Sequence, residues 1–164
     1  MDFPTPTDAH RALAPLAGDW IGDETCYPSP WNPELQPATG HNRMRVALGG
    51  FAVISEYEQV KQGEVTFTGH GVYGYDPDEA VYTCYWFDSM NPKAALLKGQ
   101  LIDGVLTMTS HDPQFGYYRL IYDLRELGEG RHGFRLEGSQ DGEQWQVMQE
   151  ATYRLAEQQS GVRS

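Results

Sequence analysis

Three glycines in the stretch VTFTGHGVYGYDPDE have the spacing of a nucleotide-binding motif. Gly69, Gly71 and Gly74 form the pattern G-x-G-x-x-G, which binds a dinucleotide when a helix begins at its end and supplies free N–H groups to the pyrophosphate. Here the turn Asp76-Pro77-Asp78 follows, and after it the tract VYTCYWFD, which is rich in β-branched and aromatic residues. The pattern therefore indicates strand glycines that relieve crowding at a bend or leave interior volume for a ligand.

A second group of residues could perform acid–base chemistry. Glu24, Tyr57 and His132 supply a carboxylate, a hydroxyl and an imidazole, and they could meet around a bound phenolic or carboxylic substrate. The sequence has no G-x-S-x-G, H-E-x-x-H, S-x-x-K or P-loop motif, and its five histidines are too dispersed to indicate a metal triad. We assign no catalytic or metal-binding residues, and the enzyme alternative depends on whether these three side chains approach one another.

The length and composition predict one folded domain. A chain of 164 residues with 40% hydrophobic and 21% charged residues can build its own core, and we place the domain at residues 1–158 with a flexible tail at 159–164. The net charge of −11 opposes nucleic-acid binding, because phosphate neutralisation requires clustered Lys and Arg.

No apolar run approaches the roughly 18 residues of a membrane span, and the first residues lack the features of a signal peptide. We therefore expect a cytoplasmic protein with no membrane partner. Cys26 and Cys84 lack metal-binding spacing, which favours two reduced, partly buried thiols over a redox pair.

Turn signals divide most of the chain into short tracts of β-forming residues. Thr7 can cap a short helix that runs to Ala14. From Gly18 onward, tracts rich in Val, Ile, Thr and aromatic residues alternate with turns about every ten residues. The predicted strands are Gly18–Cys26, Thr39–Leu48, Phe51–Val60, Val65–Tyr75, Ala80–Asp88, Ala94–Leu101, Val105–Ser110, Phe115–Leu124, His132–Gln140 and Glu143–Leu155.

This rhythm predicts an all-β fold. So many strands joined by short turns are most simply closed into an up-and-down antiparallel barrel, which removes exposed sheet edges. We therefore expect a closed antiparallel barrel of about ten strands with a short N-terminal helix.

Two-residue turns fix the register of the strands that they join. Across Gly49–Gly50, Asn42 opposes Tyr57 on an inner face, while Arg43 opposes Glu56 on an outer face. Arg43 and Arg45 are therefore expected to be solvated, with anion binding as the alternative. The same counting pairs Leu48 with Phe51 and Met44 with Ser55, and across Asp141–Gly142 it pairs Trp145 with Gly138, Val147 with Leu136, Gln149 with Phe134 and Ala151 with His132 on the inner face.

Polar residues of the inner parity are the candidates for ligand binding. A buried polar group is costly unless it is paired, so these groups bind one another, water or a ligand. Arg119 and His70 are added as candidates whose orientation the sequence leaves open. The predicted ligand-binding residues are Trp20, Glu24, Tyr57, His70, Arg119, His132 and Gln149.

Four segments resemble a known group of proteins. LAGDWIGDE looks like the G-x-W opening of the calycin barrels, the lipocalin and fatty-acid-binding group, in which the Trp, here Trp20, closes the barrel bottom. With LGGF, GHGVYGYD and YWFDS in this order, the chain resembles a bacterial lipocalin-like family known as a domain of unknown function. The plan is also similar to nitrobindin, whose haem iron ligand is a His on the last strand, but Glu143–Leu155 contains no His. The resemblance therefore implies the shape without the haem.

We predict that the barrel binds a small hydrophobic molecule, which could also carry an anionic group, and that it uses no cofactor. Two alternatives remain open: an enzyme that uses Glu24, Tyr57 and His132, and an interaction module. The interaction module would be a homodimer with exposed aromatic residues of YTCYWF at its interface.

Overall fold

The computed structural model describes residues 2–30 and 32–156, so the predicted tail at 159–164 lies outside the described residues. The described part contains one short helix and ten strands. Their bounds are α1 Asp8–Arg11, β1 Gly18–Cys26, β2 Gln36–Ala47, β3 Ala52–Lys61, β4 Glu64–Asp76, β5 Val81–Asp88, β6 Asn91–Ile102, β7 Val105–Asp112, β8 Gly116–Asp123, β9 Arg131–Ser139 and β10 Gln146–Leu155.

The ten strands form one closed antiparallel barrel. Each strand pairs with its neighbours in sequence, and β1 also pairs with β10, with Trp20 opposite Leu155 and Cys26 opposite Gln149. Closure leaves no strand with a free edge among the ten, which satisfies the backbone N–H and C=O groups of β1 and β10. The predicted fold class is confirmed.

The N-terminal helix is shorter than predicted. Thr7 is its N-cap residue, and its backbone N–H donates to the His10 Nδ1 atom at 3.0 Å. The helix ends at Arg11, and a 3₁₀ turn at Ala14–Leu16 continues the chain, with Pro15 in its first turn. Neither α1 nor a 3₁₀ turn in the described residues has the length and apolar character needed to cross a membrane.

The N-terminal segment plugs one end of the barrel. Leu13 and Leu16 are almost fully buried there, and the Leu16 carbonyl accepts a hydrogen bond from Trp20 Nε1 at 2.8 Å. The Tyr82 hydroxyl donates to the Ala9 carbonyl at 2.9 Å. The core around the plug consists of Leu13, Leu16, Trp20, Met44, Val53, Tyr73, Tyr82, Cys84, Leu97, Leu106, Met108, Tyr122, Leu124 and Tyr153. Burial therefore concentrates at the end where β1 begins.

Both cysteines are free thiols, as the sequence indicates. Cys26 is half-buried at the other end of β1, whereas Cys84 is buried in the core. Burial raises the pKa of Cys84 to about 12. This thiol therefore stays protonated and behaves as a small apolar side chain.

The register of the first hairpin agrees with the count from its turn. Asn42 lies opposite Tyr57 and Arg43 opposite Glu56. Arg43 and Arg45 are exposed, which favours the solvated interpretation. Leu48 and Phe51 flank the turn, and the Phe51 N–H donates to the Leu48 carbonyl at 3.2 Å. The assignment of Leu48 to the inner face is wrong, because Leu48 begins a 3₁₀ turn at Leu48–Gly50 and its side chain is exposed.

The register of the last hairpin differs from the prediction. Gln146 pairs with Gly138, and a bulge between Val147 and Gln149 then shifts the pairing, so that Tyr153 rather than Ala151 lies opposite His132. A bulge places one extra residue in a strand and reverses the parity of the residues before it. The structure therefore corrects the predicted pairings: Val147 lies opposite Glu137, and Trp145 precedes β10 and lies outside its pairing with β9. Both residues still contribute to the lining of the cavity, and Gln149 keeps its inner parity.

The glycines of the G-x-G-x-x-G pattern lie within β4, as expected. A Cβ atom at Gly69 would overlap the indole of Trp86, and one at Gly71 would lie 3.1 Å from the same ring. Gly71 is directly opposite Trp86 in the β4–β5 pairing. These two glycines therefore leave room for Trp86 to lie flat against the inner wall of the barrel.

Replacing Gly69 by Ala should destabilise the barrel by about 1–3 kcal/mol, because the new methyl group displaces Trp86. The melting temperature should fall and the tryptophan emission should shift. Gly128→Ala is the matched control, since a Cβ atom there meets no atom within 4 Å. Equal melting temperatures for the two variants would contradict this explanation of the motif.

Candidate functional site

A cavity of about 1050 Å³ occupies the barrel interior at the end opposite the plug. Exposed loop residues form its mouth, among them Gln114 and Phe115 between β7 and β8 and Gln144 between β9 and β10. Ligand pockets in proteins commonly have volumes of about 300–1,000 Å³. The interior is therefore filled at one end and open at the other.

The walls of the cavity are mainly aromatic and aliphatic. Ten aromatic residues and several aliphatic ones, among them Leu97, Leu120 and Leu136, contribute to them. The aromatic residues are Tyr57, Phe67, Trp86, Phe115, Tyr117, Tyr118, Tyr122, Phe134, Trp145 and Tyr153. Such walls favour an apolar guest, because its burial removes apolar surface from water.

One wall contains a network of hydrogen bonds centred on Glu24. Glu24 is 2% exposed, and its carboxylate accepts hydrogen bonds from the Tyr57 hydroxyl at 2.7 and 2.8 Å and from Gln59 Nε2 at 3.0 Å. The Tyr153 hydroxyl also donates to Glu24 Oε2. Gln59 Nε2 lies 3.4 Å from Gln149 Oε1. The carboxylate is thus satisfied by protein donors.

The same arrangement keeps the tyrosine hydroxyls protonated. Burial, followed by the nearby Glu24 carboxylate, raises the pKa of Tyr57, and the same two causes raise the pKa of Tyr153. A protonated hydroxyl can donate, which a phenolate cannot. The two tyrosines therefore act as permanent donors to Glu24 at neutral pH.

His132 differs from this network. Its side chain is 2% exposed and lines the cavity, yet its Nδ1 atom has no hydrogen-bond partner among the described residues. The ring stacks on Tyr153 with centroids 5.1 Å apart and meets Trp20 edge to face at 4.5 Å. Burial lowers the pKa of His132 to about 4, so the imidazole is neutral at pH 7.

The seven predicted ligand-binding residues fall into three groups. Tyr57, His132 and Gln149 line the cavity. Trp20 and Glu24 are buried but are not among the lining residues, since they lie behind His132 and the tyrosines that they contact. The remaining two, His70 and Arg119, lie on the outer face of the barrel.

The outward positions of Arg119 and His70 do not support a role inside the cavity. Arg119 Nε donates to Glu137 Oε1 at 2.6 Å, and the guanidinium lies 4.0 Å from the ring centroid of Trp145. His70 Nδ1 is 2.5 Å from Glu56 Oε1, and its side chain is 41% exposed. On their strands, Leu120 and Gly69 have the inner parity, so their neighbours Arg119 and His70 must point outward.

Sequence reasoning missed Gln59 and Trp86. Gln59 follows Ser55 and Tyr57 at alternate positions of β3, so the parity that selected Tyr57 also predicts an inward Gln59. Trp86 lies beyond the longer turn between β4 and β5, and a turn of that length does not fix which residues face each other. Its orientation could be inferred only from the glycines that it covers.

The structure brings together two members of the proposed acid–base group. Glu24 and Tyr57 are hydrogen-bonded, but His132 packs against Tyr153 and its Nδ1 contacts neither of them. Within residues 2–30 and 32–156, no three His, Cys, Asp or Glu side chains form a group able to hold a metal ion.

The fold and the site define a class of protein: a closed ten-stranded antiparallel β-barrel with an internal, largely apolar cavity. Residues 5–155 match the family described as "Protein of unknown function (DUF1579)", and the chain belongs to that family.

A solved structure shares this fold. The crystal structure of Rv2717c from M. tuberculosis is similar with a TM-score of 0.65 and 13% identity, over 92% of this chain and 99% of that one. No curated protein matches the chain. The calycin, lipocalin and nitrobindin resemblances remain predictions.

The pKa of His132 predicts a loss of stability in acid. In the unfolded chain this imidazole binds a proton below pH 6.5, whereas in the folded chain it does so only below about pH 4. The free energy of unfolding therefore has its full value above pH 6.5 and decreases as the pH falls towards 4. The total loss is on the order of 3 kcal/mol. Urea denaturation between pH 7 and pH 4 should show a smaller decrease for His132→Phe than for the wild-type protein, and a decrease like that of wild type for the exposed His41→Phe control.

Replacing Glu24 by Gln should lower the free energy of unfolding by about 1–3 kcal/mol. The new amide group places an N–H donor next to Tyr57, Gln59 and Tyr153, which themselves donate to Glu24 in the wild-type protein. Glu58→Gln changes an exposed residue of β3 and should have little effect. Chemical denaturation measures both variants. An unchanged stability of Glu24→Gln would show that the network is not structural.

Proposed function

We propose that this protein binds a small, largely apolar and uncharged molecule in the cavity of the barrel. The observation that carries the proposal is the cavity of about 1050 Å³ itself, which lies in an aromatic interior and opens at one end. A barrel of this size either fills its interior with side chains or holds one small ligand. The open half of this interior supports the second possibility.

The charges around the cavity support a neutral ligand rather than an anionic one. Among the described lining residues, Lys93 is the one basic side chain, and it is exposed in the mouth. Asp88, Asp112 and Asp141 lie in the same lining. Arg119, the expected partner of an anionic group, forms an ion pair with Glu137 outside the barrel. An anion would therefore lose water without gaining a buried cation.

The geometry gives less support to the enzyme alternative. The Glu24 oxygens already accept hydrogen bonds from Tyr57, Gln59 and Tyr153, and Glu24 does not line the cavity. A general base must be within hydrogen-bond reach of the proton that it removes. We therefore propose that this network supports the wall of the binding site.

The homodimer alternative rests on the outer face of β5. Tyr85 is 48% exposed and Phe87 is 49% exposed, so two large apolar side chains of YTCYWF face outward. Self-association and the cytoplasmic location both remain predictions from the sequence.

Ala95→Trp tests the binding proposal, because Ala95 lines the cavity opposite Trp86 and a large ring there would occupy the ligand's space. Native mass spectrometry against a library of small apolar molecules should detect bound compounds with the wild-type protein. We expect affinity for them to fall on the order of tenfold or more in Ala95→Trp.

Ala94→Trp is the matched control, since Ala94 is the adjacent, exposed residue of the same strand. Its affinity should equal that of wild type. Equal binding by both variants would place the ligand outside the barrel, and no binding by the wild-type protein would overturn the proposal.

A further inference from the structure

One buried polar group of the cavity has no partner in the protein. His132 Nδ1 is inaccessible to solvent and makes no hydrogen bond within the described residues. More than nine in ten buried polar groups in proteins are paired, so an orphan requires an explanation such as a bound molecule or a functional role. Within residues 2–30 and 32–156, His132 Nδ1 is the one buried side-chain nitrogen or oxygen left in this state.

The neighbouring polar groups cannot supply the partner, because they are already engaged. The Tyr153 hydroxyl donates to Glu24, and the Tyr73 and Tyr122 hydroxyls bond to each other at 2.5 Å. His132 is therefore surrounded by aromatic rings whose polar atoms are directed elsewhere.

Packing rather than hydrogen bonding holds the His132 ring. Tyr153 covers one face with an interplanar angle of 16°, and Trp20 meets the ring edge to face at 77°. A side chain that is held by packing loses little conformational freedom on binding. The imidazole lies near the beginning of β9, towards the plug and far along the strand from the mouth residues that follow β9.

We propose that His132 is the hydrogen-bonding anchor for a neutral hydroxy-aromatic molecule that enters the cavity with its hydroxyl group first. This inference rests on the proposed binding function and names the chemical class of the ligand. A neutral imidazole presents one donor and one acceptor, and a hydroxyl can both donate and accept, so it matches either tautomer of the ring.

The remaining walls match the aromatic part of such a molecule. Trp86, Tyr118 and Phe134 line the cavity between His132 and the mouth. Aromatic rings pack edge to face or offset against one another with favourable energies beyond the area that they bury. A flat apolar ring system with one terminal hydroxyl therefore matches the walls and brings its hydroxyl to the imidazole at the inner end of the cavity. Because Nδ1 is closed to solvent in the free protein, we expect the His132 ring to turn on binding so that this nitrogen meets the hydroxyl.

The test compares 1-naphthol with naphthalene, which share a ring system and differ by the hydroxyl group. Titration calorimetry with the full-length wild-type protein at pH 7 should give a Kd for 1-naphthol that is on the order of threefold to tenfold lower than that for naphthalene. His132→Phe keeps a ring between Trp20 and Tyr153 but removes both nitrogens. In this variant the two probes should bind equally, with naphthalene bound at least as tightly as by wild type.

His41→Phe is the matched control, because His41 is exposed on the outer face of β2, and it should keep the wild-type preference. The melting temperature of His132→Phe should equal or exceed that of wild type, since the substitution removes an unpaired buried atom. Nitrogen NMR of ring-labelled histidine should also show a shift of the His132 signals with 1-naphthol but not with naphthalene.

The outcomes separate the anchor from the binding function. If both probes bind wild type with equal affinity, or if His132→Phe keeps the preference for 1-naphthol, the cavity binds ligands but the anchor is wrong. If neither probe binds to the wild-type protein, the anchor is overturned. If no compound of the apolar library binds either, the proposed binding function is overturned as well.

Discussion

A carboxylate buried inside a barrel needs hydrogen-bond donors, and here they come from both sides of the β1–β10 pairing that closes the sheet. Glu24 lies on β1, which pairs with β10 on one side and β2 on the other. Its donors come from Tyr57 and Gln59 on β3 and from Tyr153 on β10. Glu24 forms no ion pair within the described residues, so its stabilisation depends on hydroxyl and amide groups held in place by the strands. The closed sheet and the satisfied carboxylate therefore depend on each other.

This network also lies at the boundary between the filled part of the barrel interior and the cavity. Tyr153 contacts Glu24 with its hydroxyl and His132 with its ring, so one side chain joins the satisfied network to the unpaired imidazole. On the plug side the space is filled by the core, whereas on the mouth side the side chains surround the cavity. Because the polar wall is satisfied by protein groups, the protein can fold around an open cavity and still keep one unpaired nitrogen, His132 Nδ1, buried beside its inner end.

The sequence predicts those parts of the structure that local rules determine. Parity places Glu24 and Tyr57 inward, and the turn at Gly49–Gly50 gives the observed pairing of Asn42 with Tyr57. These predictions hold because side chains alternate along a strand and a two-residue turn fixes the register. Within β3 the same alternation would also have identified Gln59, so that omission was avoidable.

The remaining features depend on contacts between distant residues. The bulge before Gln149 has no local signal in the sequence, and without it the pairing of Tyr153 with His132 cannot be deduced. Arg119 has aromatic neighbours of both parities, and its orientation is decided by Glu137 on β9 and Trp145 beyond it. The cavity depends on the sum of all inward side-chain volumes, which no single segment specifies.

The plug at the N-terminal end makes the interior a blind tube. The Leu16 carbonyl accepts a hydrogen bond from the Trp20 indole, and the Ala9 carbonyl accepts one from Tyr82 on β5. The N-terminal end of the barrel is therefore closed by residues that are bonded to the core. A ligand that binds in this cavity must therefore enter and leave through the same opening. Its leading end is then screened sterically by the barrel floor, while its trailing end lies among solvated loops. Bulky substituents on the trailing end should therefore be tolerated, and the same substituents on the leading end should be rejected.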